Sequence, residues 1–318
     1  MRPSDRSPAS RLRDLLAASL GAALCGCAAP GRECAPPLLA VLSAFPAELS
    51  PLLERAAVEE TQTLGDRVFR TGRLAGVPVV LALTGIGMGP AASTTRTLLE
   101  RFPVRGIVFS GVAGSRLRIG DVAVPAAWTD EDGTTRSVHG QWLELAERVA
   151  VGGRVALDRC TLVPDAESEP ELCLEHEPVV AVGGVGRSRD PYGVAPFPCQ
   201  PEGGDVFGCD VGAPGATPAW MKGGVEVDET SEPEEPELRE PGGPVVGDME
   251  TAAVAREAAA RGVPLIAFRA ASDGKGDPLE LRRPFAQFFI YYRLAGRNAA
   301  AATVSFLEEL AAASSCGS

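Results

Sequence analysis

The chain has 318 residues, with 42 acidic against 30 basic side chains and a net charge of −12. That length allows a substantial core in one large domain with insertions. The acidic balance excludes a general nucleic-acid binder, which needs a basic face, but not a small nucleoside ligand; solubility alone is a sufficient reason for the excess charge.

Residues 1–14 carry Arg2, Arg6, Arg11 and Arg13 against Asp5 and Asp14. The apolar run Leu15–Leu24 is too short to span a bilayer and has the layout of a secretory signal. Leu24-Cys25-Gly26-Cys27 resembles a bacterial lipobox with Cys27 as the lipidated residue, although Cys25 is unusual at its position. Residues 1–27 therefore read as a lipoprotein-type signal. The mature chain is expected in the bacterial cell envelope, exported, lipid-anchored to a membrane and facing the periplasm. Beyond Cys27 stand Cys34, Cys160, Cys173, Cys199, Cys209 and Cys316, an even number that suits disulfides in an oxidising compartment. Short-range pairs Cys160–Cys173 and Cys199–Cys209 are expected, leaving Cys34–Cys316, although spacing alone does not fix connectivity. Cys160, Cys173 and His176 have no fourth ligand and no paired Cys-x-x-Cys, so no metal site is expected.

Leu38–Ala44 is a continuous apolar run suited to a buried strand. The chain turns at Phe45–Glu48, and a helix is expected from Pro51 to about Glu60. Val68–Leu74 and Val77–Thr84 read as strands of a hairpin turning at Ala75-Gly76. The glycine-rich turn Gly85–Gly89 leads into a helix from Pro90 to about Arg101. Further strands are expected at Gly106–Ser110, Asp121–Ala126 and within Glu177–Gly183. Residues from about 185 to 246 are acidic and rich in Gly and Pro, an irregular insertion partly pinned by disulfides. A helix over Asp248–Arg261 stops at Gly262, Leu265–Ala271 is the last core strand, and Phe285–Leu310 closes the chain as a helix, with a kink expected near Gly296. Buried strands alternating with helices indicate an α/β fold with a mixed, mainly parallel sheet, here one domain over 38–318.

Two carboxylates draw the eye. Glu250 stands at the mouth of a helix and Asp273 just past an apolar strand, where open α/β sheets bind their ligands. Two acids converging there suit a sugar diol and a leaving group that needs a proton. Each has a plainer reading, Glu250 as an acid favoured by the helix dipole and Asp273 as a cap on the turn Asp273–Gly276. Gly85-x-Gly87-x-Gly89 lacks the Lys-Ser/Thr of a triphosphate loop; it is either a structural turn or a place where backbone approaches a ligand closely.

Five segments in order resemble the nucleoside phosphorylase/nucleosidase superfamily, nearest the methylthioadenosine/S-adenosylhomocysteine nucleosidases. Ala40–Glu48 is similar to "IGIIGAMEEE", Thr84–Ala92 to "SGIGKVAAA", Ser110–Gly114 to "TGSAG", Ile119–Val124 to "VGDIVV", and Gly247–Ala253 with Arg269–Asp273 to "VEMEA … RAISD". The resemblance covers most of 38–126 and 245–310. It implies a three-layer sandwich, a central mainly parallel mixed sheet between helices. It implies Asp273 as the acid that protonates the departing purine, oriented by Ser272, Glu250 as acceptor of the ribose diol beside Met249, and Glu48 as the base that activates water. Gly87, Ala113 and Gly114 would line the substrate. No cofactor is implied. The partner would be a small-molecule nucleoside, and a homodimer is compatible by analogy.

Phosphate is already nucleophilic and needs Arg and Ser around it; neither Gly85–Gly89 nor Gly111–Ser115 contains Arg, which favours hydrolysis over phosphorolysis. A phosphorylase and a non-catalytic exported nucleoside-binding or uptake protein are the alternatives, and Glu48 as an ordinary residue of a helix-starting turn is the plainer reading of that position. The sequence departs from the family at Val112, where a Ser is usual, and in the His-Asp segment, replaced by Trp128–Asp132. The base-stacking "SGDxF" stretch survives only as Val185–Asp190. Phe197, Phe207, Tyr192 and Trp220 are candidates to stack on a base, against a surface or disulfide-packing role.

Overall fold

The computed structural model describes residues 37–163, 170–190, 197–215 and 245–315. Its first element is the apolar run after Pro37, β1 (Leu38–Ser43), followed by α1 (Pro46–Leu53). Three antiparallel-paired strands come next, β2 (Ala56–Leu64), β3 (Arg67–Leu74) and β4 (Val77–Leu83). The expected hairpin between β3 and β4 turns at Ala75 and Gly76, both at positive φ. Then α2 (Met88–Arg101) leads to the long β5 (Val104–Arg118). Short strands β6 (Val122–Val124), β7 (Ala127–Thr129) and β8 (Thr135–Ser137) precede α3 (Gly140–Val151). A two-stranded sheet of β9 (Cys160–Leu162) and β10 (Glu171–Cys173) stands apart from the main one. After it come β11 (Val180–Val182), β12 (Val185–Ser188), the single turn α4 (Gly204–Phe207), β13 (Val246–Asp248), α5 (Thr251–Ala259), β14 (Leu265–Lys275) and α6 (Pro284–Ser315).

The main sheet is mixed and flanked by helices, as the sequence predicts. Its heart is the parallel set β4-β1-β5-β14, whose apolar runs are buried on both faces. All four strands end on the same edge, so the segments after β1 and β4, the end of β5 and the end of β14 meet there. β13 runs antiparallel to β5, with Val246 opposite Ser115 and Gly247 opposite Gly114, and delivers the start of α5 to that edge.

Several boundaries differ from expectation. The first helix begins at Pro46, not Pro51, because Pro46 fits the first helical turn. Pro51 then lies inside α1 and leaves the Ala47 carbonyl without its helical donor. Gly296 of α6 packs there: a Cβ on it would stand 3.0 Å from that oxygen. Gly296 thus serves close helix approach, and α6 runs as one helix through it. Residues 56–60, expected to be helical, belong to β2, an almost wholly exposed strand that lacks a core face to mark its period. Asp248 ends β13 instead of starting a helix, and Glu250 is the N-cap of α5. β14 continues past Ala271 to Lys275, its register shifting on either side of Asp273. β12 is a strand of the main sheet, so the irregular stretch begins after Ser188.

Both expected short-range disulfides, Cys160–Cys173 and Cys199–Cys209, are closed. His176 Nε2 lies 3.0 Å from the Ile119 carbonyl oxygen. Cys27, Cys34 and Cys316 lie outside the described residues, as do Tyr192 and Trp220.

Candidate active site

The site is organised around a cation. Arg269, on β14 opposite Gly111 of β5, is fully buried and faces three carboxylates. Its Nη1 lies 3.5 Å from Glu48 Oε1; its Nη2 lies 2.7 Å from Asp248 Oδ2 and 3.2 Å from Glu250 Oε2. The guanidinium also sits over the Phe109 ring, 4.0 Å from its centroid. Gly111 makes room: a Cβ there would come within 2.3 Å of Arg269 Nη1 and 2.4 Å of Glu48 Oε1.

Glu48, in the first turn of α1, is 1% exposed. Its two oxygens accept the Ala44 N–H at 2.6 Å and the Val112 N–H at 2.7 Å, amides at the ends of β1 and within β5. Burial pushes the Glu48 carboxyl up to about 6 against the pull of Arg269 and those amides. Glu250, 4% exposed, accepts the Gly87 N–H at 2.9 Å, which ties it to the turn after β4. Gly87 has φ +111, a conformation that favours glycine, and its neighbour Met88 donates its N–H to Asp190 Oδ1 at 3.0 Å. Burial pushes the Glu250 carboxyl up to about 8, with Asp248 and Glu48 adding to it and Arg269 opposing. Three carboxylates around one guanidinium cannot all ionise cheaply, so the cluster retains a proton near neutral pH. Burial also raises Asp190, helped by Glu131.

Asp273 lies further along β14, opposite Gly114. Ser272 Oγ donates to Asp273 Oδ1 at 2.9 Å and lies 3.4 Å from the Ala113 carbonyl. Met249 is half-buried in the bend between β13 and α5. The structure therefore joins Glu48, Glu250 and Gly87 in one bonded network, and sets Ser272 and Asp273 against Ala113 and Gly114 on the neighbouring strand. Phe197 bridges Ile86 of the glycine-rich turn and lies 6.3 Å from Phe207, beside the Cys199–Cys209 disulfide.

Sequence reasoning missed Arg269, Asp248, Thr251, Ser188 and Asp190 as parts of this network. Arg269 carried a signal, since it is the single charge in the apolar run Leu265–Ala271 and a charge there needs partners. Ser188 Oγ bonds Asp248 Oδ1 and takes the Ala252 N–H at 2.8 Å; nothing in the spacing of these residues announces that contact.

A family model described as phosphorylase superfamily matches residues 38–172 and 219–308. An uncharacterized protein of Mycobacterium tuberculosis is 37% identical over 185 residues, covering 52% of this chain and 74% of that one. A 5'-methylthioadenosine/S-adenosylhomocysteine nucleosidase of Geobacillus is 36% identical over 89 residues, 27% of this chain and 38% of the nucleosidase. In fold, the chain is similar to the same nucleosidase of Neisseria meningitidis, solved with methylthio-immucillin-A, with a TM-score of 0.57 at 21% identity over 85% of this chain and 98% of the other. It is equally similar to the futalosine hydrolase of Helicobacter pylori, with a TM-score of 0.58 at 21% identity over 86% and 98%.

Proposed function

Because the chain belongs to the phosphorylase superfamily, we propose that it is an N-ribosyl hydrolase acting on a purine nucleoside or thionucleoside, of the methylthioadenosine/S-adenosylhomocysteine type. The carrying observation is the seat of Glu48. Its carboxylate occupies the Ala44 and Val112 amides and faces Arg269, the donors a phosphate ion would need at this edge of the sheet. A buried base close to neutral in proton affinity suits water, which must lose a proton as it attacks.

In this reading the bond from the ribose C1′ to the base nitrogen breaks with its electron pair going to the purine. Asp273 supplies a proton to the imidazole nitrogen of the departing base. Water adds to C1′ and gives its proton to Glu48. Glu250 holds the ribose hydroxyls, and its negative charge, once its proton is lost, stabilises the cation-like sugar. Gly87, Met249, Ala113 and Gly114 line the sugar, and Ser272 orients Asp273. Export with lipid attachment at Cys27 belongs to the same proposal, supported by the two disulfides; lipid labelling lost in Cys27→Ser would test it.

The decisive assay is a nucleoside panel, including methylthioadenosine and S-adenosylhomocysteine, with and without phosphate. Free base should appear without phosphate, and Asp273→Asn should cut kcat by about 10²–10⁴-fold. Absolute dependence on phosphate would make the protein a phosphorylase. Tight binding without turnover over hours would make it a binding protein.

A further inference from the structure

Arg269 has five N–H bonds and no solvent to receive them. Nη1 donates to the Val112 carbonyl at 3.4 Å and forms an ion pair with Glu48 at 3.5 Å, while Nη2 meets Asp248 at 2.7 Å and Glu250 at 3.2 Å. The Nε N–H goes to Thr251 Oγ1 at 3.1 Å. Thr251, itself fully buried, donates its hydroxyl proton to Asp248 Oδ2 and its backbone N–H to Asp248 Oδ1 at 3.2 Å. Ser188 Oγ holds Asp248 from the other side.

Resting on the nucleosidase reading, we propose that Thr251 is a positioning residue: its hydroxyl, held by Asp248, which Ser188 in turn holds, fixes the plane of the Arg269 guanidinium between Glu48 and Glu250 and so decides which acid carries the proton when substrate arrives. A guanidinium turns about its Cδ–Nε bond, which tips its plane, and the Nε hydrogen bond sets that angle. The Phe109 ring, its centroid 4.0 Å from Cζ, lies against the same plane but offers no directional bond to hold it. With the hydroxyl gone, Nε–H is a buried donor without an acceptor and the fork turns to find one. The Glu48 contact is the longest of the ion pairs, so it is lost first. Arg269 is the charge that opposes burial at Glu48, and losing it leaves Glu48 protonated to higher pH. Among the described residues the charged groups around the fork are Glu48 from α1, Asp248 from β13 and Glu250 at the mouth of α5, with Asp190 beyond the Gly87-Met88 peptide.

The test uses the full chain and methylthioadenosine as probe, comparing Thr251→Val, which keeps shape and removes the hydroxyl, with Thr251→Ser, which restores it. Thr251→Val should move the acid limb of the kcat/KM profile up by about one pH unit and lower the rate at pH 5 about tenfold, since one unit of pKa is tenfold in ionised base below it. Thr251→Ser should return the limb to its original position. A uniform loss at every pH, or a Ser variant that behaves like Val, overturns the proposal. Should Thr251→Val not fold, Ser188→Ala must shift the limb in the same direction by less, and an unmoved limb overturns it equally. If the wild-type chain turns over no nucleoside, the nucleosidase reading fails separately. The inference is then read from melting temperature against pH, where the part of the fall that Glu48 contributes, ending near pH 6 in the wild type, must extend about one pH unit further in Thr251→Val; superimposable curves sink it.

Discussion

Two regions of this molecule hold chain in place by opposite means. The Arg269 cluster uses no covalent link. It draws Glu48, the pair Asp248 and Glu250, and Arg269 from three separate stretches of sequence into near-complete burial, where each polar atom depends on the others. The segment 197–215 has almost no core of its own; Val206 is its one buried large apolar side chain. It is closed by Cys199–Cys209 and tied down by polar contacts: Asp205 to Tyr292 Oη at 2.9 Å and to Arg293 Nε at 2.8 Å, and Asp210 to Arg70. The two regions meet at the glycine-rich turn, where Ile86 bridges Phe197 and Gly87 bonds Glu250. A site with a floor set by mutual burial and a rim tied separately can change its rim without disturbing its chemistry.

The largest effect should come from breaking the floor. Arg269→Met leaves three buried carboxylates without their cation, and removing one partner of a buried pair costs about 3–5 kcal/mol. For a domain of this size that corresponds to a fall in Tm of roughly 10 °C, with nucleoside turnover abolished. A variant that melts within about 2 °C of wild type would mean that the cluster is not what holds the floor together.

Next in size is the pH dependence of stability. Glu48 and Glu250 have folded-state values raised to about 6 and about 8, so the folded chain holds protons that the unfolded chain has released. Their contribution is complete below the ordinary carboxylate range and is lost as pH rises through those values. Melting temperature should therefore fall between pH 5 and 9, and Glu250→Gln, which cannot lose that proton, should flatten the upper part of the fall. A Tm that rises across this range would show that the cluster carries no retained proton.

The same contrast explains how far the sequence could be read. β1, β4 and β14 were legible because strands buried on both faces are continuous apolar runs. Glu48 and Asp273 were singled out by family motifs running on from β1 and within β14, and Glu250 by the motif that follows β13; the structure brings Glu48 and Glu250 into one network. β2 was misread because a strand exposed on both faces has no period; only its pairing with β3 makes it one. Thr251 and Ser188 were invisible, since a hydroxyl meets its partner through tertiary structure and leaves no pattern in the chain. The short-range disulfides were predicted, yet the polar ties of Asp205 and Asp210 were not, because their partners lie on α6 and β3, distant in sequence.

The smallest effect on the core, and the sharpest test of the contrast, comes from opening the rim. In Cys199→Ser/Cys209→Ser the loop regains chain entropy worth at most about 3 kcal/mol. That entropy is gained by a segment with little buried apolar area, so it should appear as local opening instead of global unfolding. Amide exchange in 197–215 should rise strongly while Tm moves by less than about 2 °C. Because Phe197 leans on Ile86, next to the amide that holds Glu250, KM should rise while kcat stays within about threefold, as expected when binding contacts loosen but the reacting groups keep their places. A Tm loss as large as that of Arg269→Met would make the segment part of the core, and a fall in kcat at unchanged KM would mean that the disulfide-closed rim holds the acids themselves.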